Sequence, residues 1–229
     1  MSTSSIQNTK PQTFCAIDFE TANPQRGSVC AVGIAKYDAV TGRLVAKDGG
    51  LVRPPKGLDH FAPMNMRVHR ISPRKIEAAR NGQGAITWDV VLPWLVSFVG
   101  TDLLVAHNAA FERSVVRAAS EAMGLAVPPL RIACSVKIAK RELPELTQHK
   151  LPIVASHLGV VQTSHHDAAD DALVCGGIMA QLLQRSGENS LAGLDQMILR
   201  SGQRLRDIVV TPTGGRSSLP DRNQRGWTL

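Results

Sequence analysis

The pattern of apolar and polar residues predicts three β-strands near the start of the chain. The segment FCAIDFE (14–20) is rich in Phe and Ile, and two further apolar segments follow at 28–38 and 43–54. Thr41 and Gly42 lie between the second and third segments and are typical of a hairpin turn. We therefore expect three consecutive strands to form an antiparallel meander at one edge of a sheet.

Helical periodicity dominates the rest of the chain, apart from the stretch 53–73, which is rich in Pro, Met and basic residues and predicts a long ordered loop. Two of the helices follow directly on short apolar strands. The predicted helical or strand–helix segments are 87–100, 102–124, 130–144, 149–160 and 166–187. A meander followed by strand–helix alternation predicts an α/β fold, with a mixed sheet that is antiparallel at one edge, parallel elsewhere and flanked by helices.

The length of 229 residues fits one domain of ordinary size with extensions at both ends. Residues 1–12 are polar and are expected to form a disordered leader. Residues 13–187 hold the regular pattern and are expected to form the main domain. Residues 188–229 contain one amphipathic segment and then a Gly/Pro/Ser/Arg-rich end, which predicts a C-terminal helix and a basic, partly flexible tail.

The net charge and the cysteine content give limited information about binding partners and cellular location. The net charge is +7, and six Arg against two Asp from Arg200 onward account for +4 of it, which favours an anionic partner such as nucleic acid. The chain has no apolar run long enough for a membrane span, and its first residues lack the apolar core of a secretory signal. The four cysteines are scattered without a CxxC pair. A cytoplasmic location is therefore expected.

Two carboxylates interrupt the first strand. Side chains alternate along a strand, so Asp18 and Glu20 share one face with Phe14 and Ala16. Like charges at this spacing repel each other and lose hydration when they are buried. A bound cation is the first candidate for what offsets this cost.

A third carboxylate, Glu112, lies near the start of a predicted helix. Asn108 is a suitable N-cap for this helix, and Glu112 is one position beyond the capping-box site. At helical spacing Glu112 shares a stripe with Val116, Ala119 and Met123, which indicates that it faces inward. The alternative is an ordinary acid near a helix N-terminus, favoured there by the helix dipole.

A third polar cluster precedes the last predicted helix of the domain. Its members are His165, His166, Asp167, Asp170 and Asp171. The spacing of five between His166 and Asp171 does not fit one helical face. His166 is therefore expected on the loop before the helix, from which it can reach a site that Asp171 faces.

These residues together predict a metal-dependent hydrolase. The carboxylates are Asp18, Glu20, Glu112 and Asp171, and sites built only from oxygen ligands suit Mg²⁺ or Mn²⁺ better than zinc. Two such ions close together are a common arrangement for phosphodiester hydrolysis. His166 is the natural general base, since the pKa of histidine lies near the working pH.

The motifs DFET, HNAAFE and HHDAADDA occur in the order and spacing found in the DnaQ-like, or DEDDh, 3′–5′ exonucleases. The family includes the proofreading subunit of bacterial DNA polymerase III, ribonuclease T and oligoribonuclease. The resemblance covers roughly residues 13–185. It implies an RNase H-like fold, two Mg²⁺ or Mn²⁺ ions, and hydrolysis of single-stranded 3′ ends to nucleoside monophosphates.

The resemblance also assigns roles to residues. Asp18, Glu20 and Asp171 match metal ligands and His166 matches the general base, with the His-x4-Asp-Ala spacing selecting Asp171 over Asp170. Five residues match positions near the substrate: Thr21, Ala22, Asn108, His69 and Arg70.

Two residues depart from the family pattern. Glu112 stands where the family carries Asp, which predicts reduced activity or a shift toward Mn²⁺ because Mg²⁺ is strict about octahedral geometry. Arg70 stands where the family usually has Gly, near the expected 3′ end, where it could contact a phosphate.

Several alternatives stay open. The substrate is single-stranded DNA or RNA with a free 3′ end, DNA being favoured, and an exoribonuclease of the same family is the first alternative. A non-catalytic nucleic-acid-binding relative is the second. A zinc hydrolase that uses His165, His166 and Asp167 is the third. A polymerase, a repair protein and a second copy of the chain are candidate protein partners.

Overall fold

The computed structural model describes residues 12–211 and contains one seven-stranded sheet with helices on both faces. The strands are β1 (Thr13–Thr21), β2 (Val29–Asp38), β3 (Leu44–Arg53), β4 (Ile86–Thr87), β5 (Leu103–Ala106), β6 (Val127–Cys134) and β7 (Arg206–Val210). The helices are α1 (Pro63–His69), α2 (Pro73–Gly82), α3 (Trp88–Val99), α4 (Ala109–Ala122), α5 (Ser135–Glu142), α6 (Leu151–Leu158), α7 (Ala168–Ser186) and α8 (Leu191–Arg200).

The sheet order is β4-β3-β2-β1-β5-β6-β7. The first three strands form the expected antiparallel meander. The next two pairings are parallel: β5 pairs with β1, and β6 pairs with β5. The predicted α/β fold with a mixed, RNase H-like sheet is therefore confirmed, and β1, the strand that carries Asp18 and Glu20, lies at its centre.

The two faces of β1 belong to two separate parts of the core. Ile17 and Phe19 pack in a cluster with residues of α3 and α4. Phe14 and Ala16 pack on the opposite face with residues of α5, α6, α7 and α8. Asp18 and Glu20 continue the second face, so they point toward the side on which α7 begins.

Gly33 explains how α7 comes so close to this position. Gly33 pairs directly with Asp18 across the β1–β2 ladder. A Cβ atom at Gly33 would collide with the carbonyl of Ala168 and would lie 2.5 Å from the Cα of Ala169. The absence of a side chain on β2 therefore allows the first turn of α7 to lie directly over the strand, next to Asp18.

The segment expected to be a long loop is partly helical. Residues 54–62 are irregular, but α1 follows, and the Ser72 hydroxyl caps α2 by accepting from the Lys75 amide. The loop prediction was therefore wrong for the second half of this stretch. Pro63 and Pro73 at the starts of these helices supply backbone angles that suit a first turn.

The C-terminal region joins the same packed unit. Leu194, Met197 and Ile198 of α8 are buried in the core, and β7 pairs antiparallel with β6. The sequence-based boundary at residue 187 thus does not mark an edge of the packing, which extends to Val210. The expected leader and most of the expected tail, residues 1–11 and 212–229, lie outside the described residues. Within 12–211, no helix is long and apolar enough to cross a membrane.

Candidate active site

Three carboxylates converge where β1 meets the start of α7. One oxygen each from Asp18, Glu20 and Asp171 lies within 4.8 Å of the other two. Asp18 and Glu20 are half-buried, and Asp171 is 5% exposed. This spacing is close enough for a shared cation and too close for three bare negative charges without a large electrostatic cost.

Asp171 and its neighbour Asp170 have different partners. Asp171 accepts hydrogen bonds from Gln162 Nε2 at 2.6 Å and from the His166 amide at 3.1 Å. Asp170 instead accepts from Thr163 and Ser164 and so holds the preceding loop. The geometry therefore places Asp171, not Asp170, in the carboxylate cluster. Gln162 was not anticipated, because no motif or periodicity singles it out.

Glu112 is buried near this cluster without belonging to the group of three. Its side chain is 2% exposed, and its Oε2 atom has no hydrogen-bond partner within residues 12–211. An unpaired buried carboxylate oxygen is costly, since nothing replaces the water it has lost. The charge of Arg26 offsets part of the effect of burial on the pKa of Glu112, and its guanidinium lies 4.4 Å from the centre of the neighbouring Phe111 ring. The residues present thus fit a divalent cation.

The carboxylates have raised pKa values for physical reasons that agree with this geometry. Burial, then the charges of Glu112, Glu20 and Asp171, raises the pKa of Asp18 well above its ordinary value. Burial and the charge of Asp171 raise the pKa of Glu20 to about 8. Burial raises the pKa of Glu112 to about 8 as well, and it raises that of Asp171. Without a cation, the cluster therefore favours protonated carboxyl groups up to a higher pH than free carboxylates do.

We predict from these shifts that the metal-free protein loses stability as the pH rises from about 4.5 to about 8. Folding raises these pKa values, so the folded state keeps protons that the unfolded chain has released, and this contribution is lost at higher pH. Melting temperatures in a chelator across this pH range test the slope. Glu112→Gln removes one of the groups, so its slope should be shallower than that of the wild type. Equal slopes would contradict the assignment.

The histidines lie beside the carboxylates on the loop that precedes α7. His166 is exposed and has a left-handed backbone with φ of +64°. Its ring stacks on that of His165, with centroids 3.8 Å apart. Partial loss of hydration, and then the charge of the neighbouring His165, lowers the pKa of His166, which favours the neutral ring that can accept a proton.

The trio His165, His166 and Asp167 is not brought together as a zinc hydrolase would require. Asp167 caps α7 by accepting hydrogen bonds from the amides of Ala169 and Asp170. This part of the zinc interpretation was wrong. Asp171 is the carboxylate that lies with the two histidines.

Helix α1 holds the end of β1. The Thr21 carbonyl accepts from Asn65 Nδ2 at 2.9 Å and from His69 Nε2 at 3.2 Å. His69 is 7% exposed, and its Nδ1 accepts from the Ile71 amide. Both ring nitrogens are thus engaged by the backbone, so this conformation presents His69 as a support for Thr21 and not as the expected direct substrate contact.

Ala22 and Arg70 also differ from simple expectations. The Ala22 amide donates to the Ser28 carbonyl at 2.7 Å, so in this conformation it is not free for a nucleotide. Arg70 ends α1 in the left-handed region with φ of +60°, which explains why glycine suits this position in the family. Its side chain is exposed.

Asn108 occupies the position before α4 but does not cap it by its side chain. Its backbone is left-handed, with φ of +92°, and the side chain is exposed and makes no capping bond. The N-cap prediction was therefore right about position and wrong about the hydrogen bond. His107 fixes the turn instead, because its ring bridges the Ser135 hydroxyl and the His149 carbonyl at 2.9 Å each.

Relatives with similar sequences are nucleases and polymerases. The chain is 30% identical over 187 residues to a Mycobacterium tuberculosis protein named as a bifunctional exonuclease/endonuclease, covering 78% of this chain and 28% of that protein. It is 27% identical over 179 residues to exodeoxyribonuclease 10 of Escherichia coli, covering 75% and 69% of the two chains. A match to the PolC-type DNA polymerase III of Clostridium perfringens is 39% identical but covers 43% of this chain and 7% of the polymerase.

Solved structures show the same fold. Exonuclease X, solved in complex with 5′ overhanging duplex DNA, has a TM-score of 0.59 and 23% identity over 82% of this chain and 99% of the other. The nuclease domain of a 3′ exonuclease described as a DEDDh family member, bound to rAMP, has a TM-score of 0.65 and 17% identity, covering 79% and 96% of the two chains. A family model described as an exonuclease matches residues 15–179, and the chain therefore belongs to that exonuclease family.

Proposed function

We propose that this nuclease is a divalent-metal-dependent 3′–5′ exonuclease that releases nucleoside monophosphates from single-stranded 3′ ends, with DNA favoured over RNA. The observation that carries the proposal is the convergence of Asp18, Glu20 and Asp171 next to the unpaired oxygen of Glu112 in a member of the exonuclease family. Four carboxylates within one small region suit a pair of Mg²⁺ or Mn²⁺ ions.

Each acidic residue has a distinct part in holding the ions. Asp18 is buried, and it is close enough to Glu112, Glu20 and Asp171 for their charges to raise its pKa further. Asp171 is kept in orientation by Gln162 and by the His166 amide. When bound, the ions stabilise negative charge that develops on the phosphodiester and lower the pKa of the attacking water.

His166 acts as the general base. It is exposed at the mouth of the site, and its backbone amide is tied to Asp171, so its ring stays next to the carboxylates. A neutral imidazole nitrogen accepts the proton of the attacking water and then returns it to solvent. Because His166 is exposed, its ring can pass the proton directly to solvent water.

A basic surface next to the site favours a polynucleotide substrate. We define the α1–α2 surface by its exposed cations, Arg67, Arg70, Arg74, Lys75 and Arg80. Within the described residues none of these five has an ion-pair partner, and the acid of this region, Glu77, pairs with Arg53. Because α1 also supports Thr21, the surface lies beside the carboxylates, where it can hold phosphates of the strand that enters the site.

The preference for DNA rests on relatives. Exodeoxyribonuclease 10 matches 75% of this chain, and the PolC-type DNA polymerase III of Clostridium perfringens matches 43% of it. A polymerase is accordingly the protein partner that we favour. An exoribonuclease remains the alternative, since the 2′-hydroxyl is the feature that separates the two substrates.

Digestion of matched single-stranded DNA and RNA, labelled at the 3′ or the 5′ end, tests the proposal. We expect release of a labelled mononucleotide from 3′-labelled DNA at once, a ladder from 5′-labelled DNA, and no digestion in a chelator. Faster digestion of RNA than of DNA would show that RNA, and not DNA, is the preferred substrate. Binding without digestion in Mg²⁺ or Mn²⁺ would instead support a non-catalytic relative.

His166→Ala is predicted to lower turnover by roughly 10² to 10⁴, the range for loss of a general base, while leaving the binding of Mg²⁺ or Mn²⁺ by the carboxylates intact. Single-turnover rates on 3′-labelled DNA measure the first effect, and the metal-dependent rise in melting temperature measures the second. His165→Phe is the matched control, because it keeps an aromatic ring stacked on His166 and should change turnover little. Reversed effects of the two substitutions would contradict the assignment of His166.

A further inference from the structure

A second potential metal site shares one carboxylate with the first. His165, His166 and Asp171 each offer a ligand atom, and these three atoms lie within 4.8 Å of one another. His165 Nδ1 is 3.5 Å from Asp171 Oδ1. From this arrangement we propose that His165, His166 and Asp171 bind a single Zn²⁺ ion, and that zinc bound there inhibits the nuclease.

The ligand types distinguish this site from the carboxylate cluster. Two imidazoles and one carboxylate form a donor set that suits zinc, whereas the oxygen-only set of Asp18, Glu20 and Asp171 suits Mg²⁺ or Mn²⁺. Three protein ligands leave the fourth tetrahedral position to water. Both histidines are exposed, so the ion can reach them from solvent.

The geometry requires only small movements. In a tetrahedral zinc site with bonds of about 2.0 to 2.1 Å, neighbouring ligand atoms are about 3.3 Å apart. The ligand atoms of His165, His166 and Asp171 are at most 4.8 Å apart, so any two of them have to approach each other by about 1.5 Å at most. Rotation of the exposed imidazole rings provides this movement. Asp171 does not need to move, since Gln162 Nε2 and the His166 amide already hold its two oxygens.

Inhibition follows from the two shared residues, and this consequence rests on the proposed function. Zinc at this site occupies His166, the proposed base, and binds Asp171, which the carboxylate cluster also needs for its own ions. His165 is the ligand that the exonuclease reaction does not use. Substitution of His165 therefore tests zinc inhibition without removing a group that takes part in the reaction.

Zinc binding is the primary test, because it does not depend on nuclease activity. Competition between the full-length protein and a chromophoric chelator, with ZnCl₂ as the probe, gives the affinity. Loss of a supporting group around a metal costs about 10- to 100-fold in affinity, so loss of a direct ligand in His165→Phe or His166→Phe should cost at least about 100-fold. Asp18→Asn should bind zinc as the wild type does. Circular dichroism confirms that each variant is folded.

The outcomes of the binding and activity assays decide whether the proposed zinc site is correct. Zinc binding that is lost in Asp18→Asn but kept in His165→Phe would place zinc among the carboxylates and overturn the proposal, as would an absence of zinc binding by the wild type. In the activity assay with excess Mg²⁺, zinc should inhibit the wild type, and His165→Phe should shift the inhibitory zinc concentration upward by the same factor as the affinity. If binding follows the prediction but no digestion occurs under any condition, the zinc site stands and the proposed exonuclease function fails.

Discussion

Asp18→Asn is expected to abolish digestion of single-stranded 3′ ends while leaving the protein folded. Asp18 lies among the other acids, and burial and their charges raise its pKa well above the ordinary value. Removal of its negative charge takes away a metal ligand, which costs several kcal/mol of transition-state stabilisation, or about 10³-fold in rate. The same change removes like-charge repulsion, so the metal-free variant should melt at a higher temperature than the metal-free wild type at pH 8.

The metal response provides a second measurement on the same variant. A ligand present at 100 times its dissociation constant stabilises the folded state by about 2.7 kcal/mol, which for a domain of this size is roughly 5 to 10 °C in melting temperature. The wild type should show such a rise in Mn²⁺, and Asp18→Asn should show much less. Asp195→Asn is the control, since Asp195 is an exposed acid on α8. Retained activity or an unchanged metal response in Asp18→Asn would remove Asp18 from the site.

The centre of the fold could be predicted because its signals are local. Strand β1 combines apolar residues with two acids that are two positions apart. Strand geometry alone places these acids, Asp18 and Glu20, on one face. The stripe that includes Glu112 likewise follows from helical spacing, and the structure buries that residue. In both cases the period of the element determines which residues meet, so no knowledge of distant contacts is needed.

The missed elements are short, and distant contacts stabilise them. Helix α1 has seven residues and buries only His69, so it has no apolar stripe that periodicity could detect. Strand β7 has five residues and pairs with β6, which lies about 70 residues earlier in the chain. Such edge pairing depends on the tertiary structure, in which the preceding helix α8 packs on the core.

The supporting residues of the site could not be predicted for the same reason. Gln162 contacts Asp171 because the loop after α6 folds back on the start of α7, and Asp170 holds that loop through Thr163 and Ser164. Gly33 lies in an apolar strand, where its importance depends on the close approach of α7. Motifs thus identify the groups that perform chemistry, whereas the groups that orient them become visible only in three dimensions.

Glu112→Gln is expected to be close to inactive with either Mg²⁺ or Mn²⁺. The buried Oε2 atom of Glu112 has no partner within residues 12–211, and its raised pKa shows that a nearby cation would be needed to keep it charged at neutral pH. Gln has the same shape without the charge, so the effect isolates the charge. Glu121→Gln on the exposed side of the same helix is the matched control, since Glu121 only pairs with Arg117.

Glu112→Asp tests why this chain carries the longer acid. A side chain with one more rotatable bond loses more entropy when it is fixed and holds an ion less rigidly. Mg²⁺ demands near-ideal octahedral geometry, so the wild type should work better with Mn²⁺, and Glu112→Asp should shift the ratio of the Mn²⁺ and Mg²⁺ rates toward Mg²⁺. Full activity of Glu112→Gln would show instead that Glu112 is an acid favoured only by the helix dipole, and that three carboxylates suffice for the reaction.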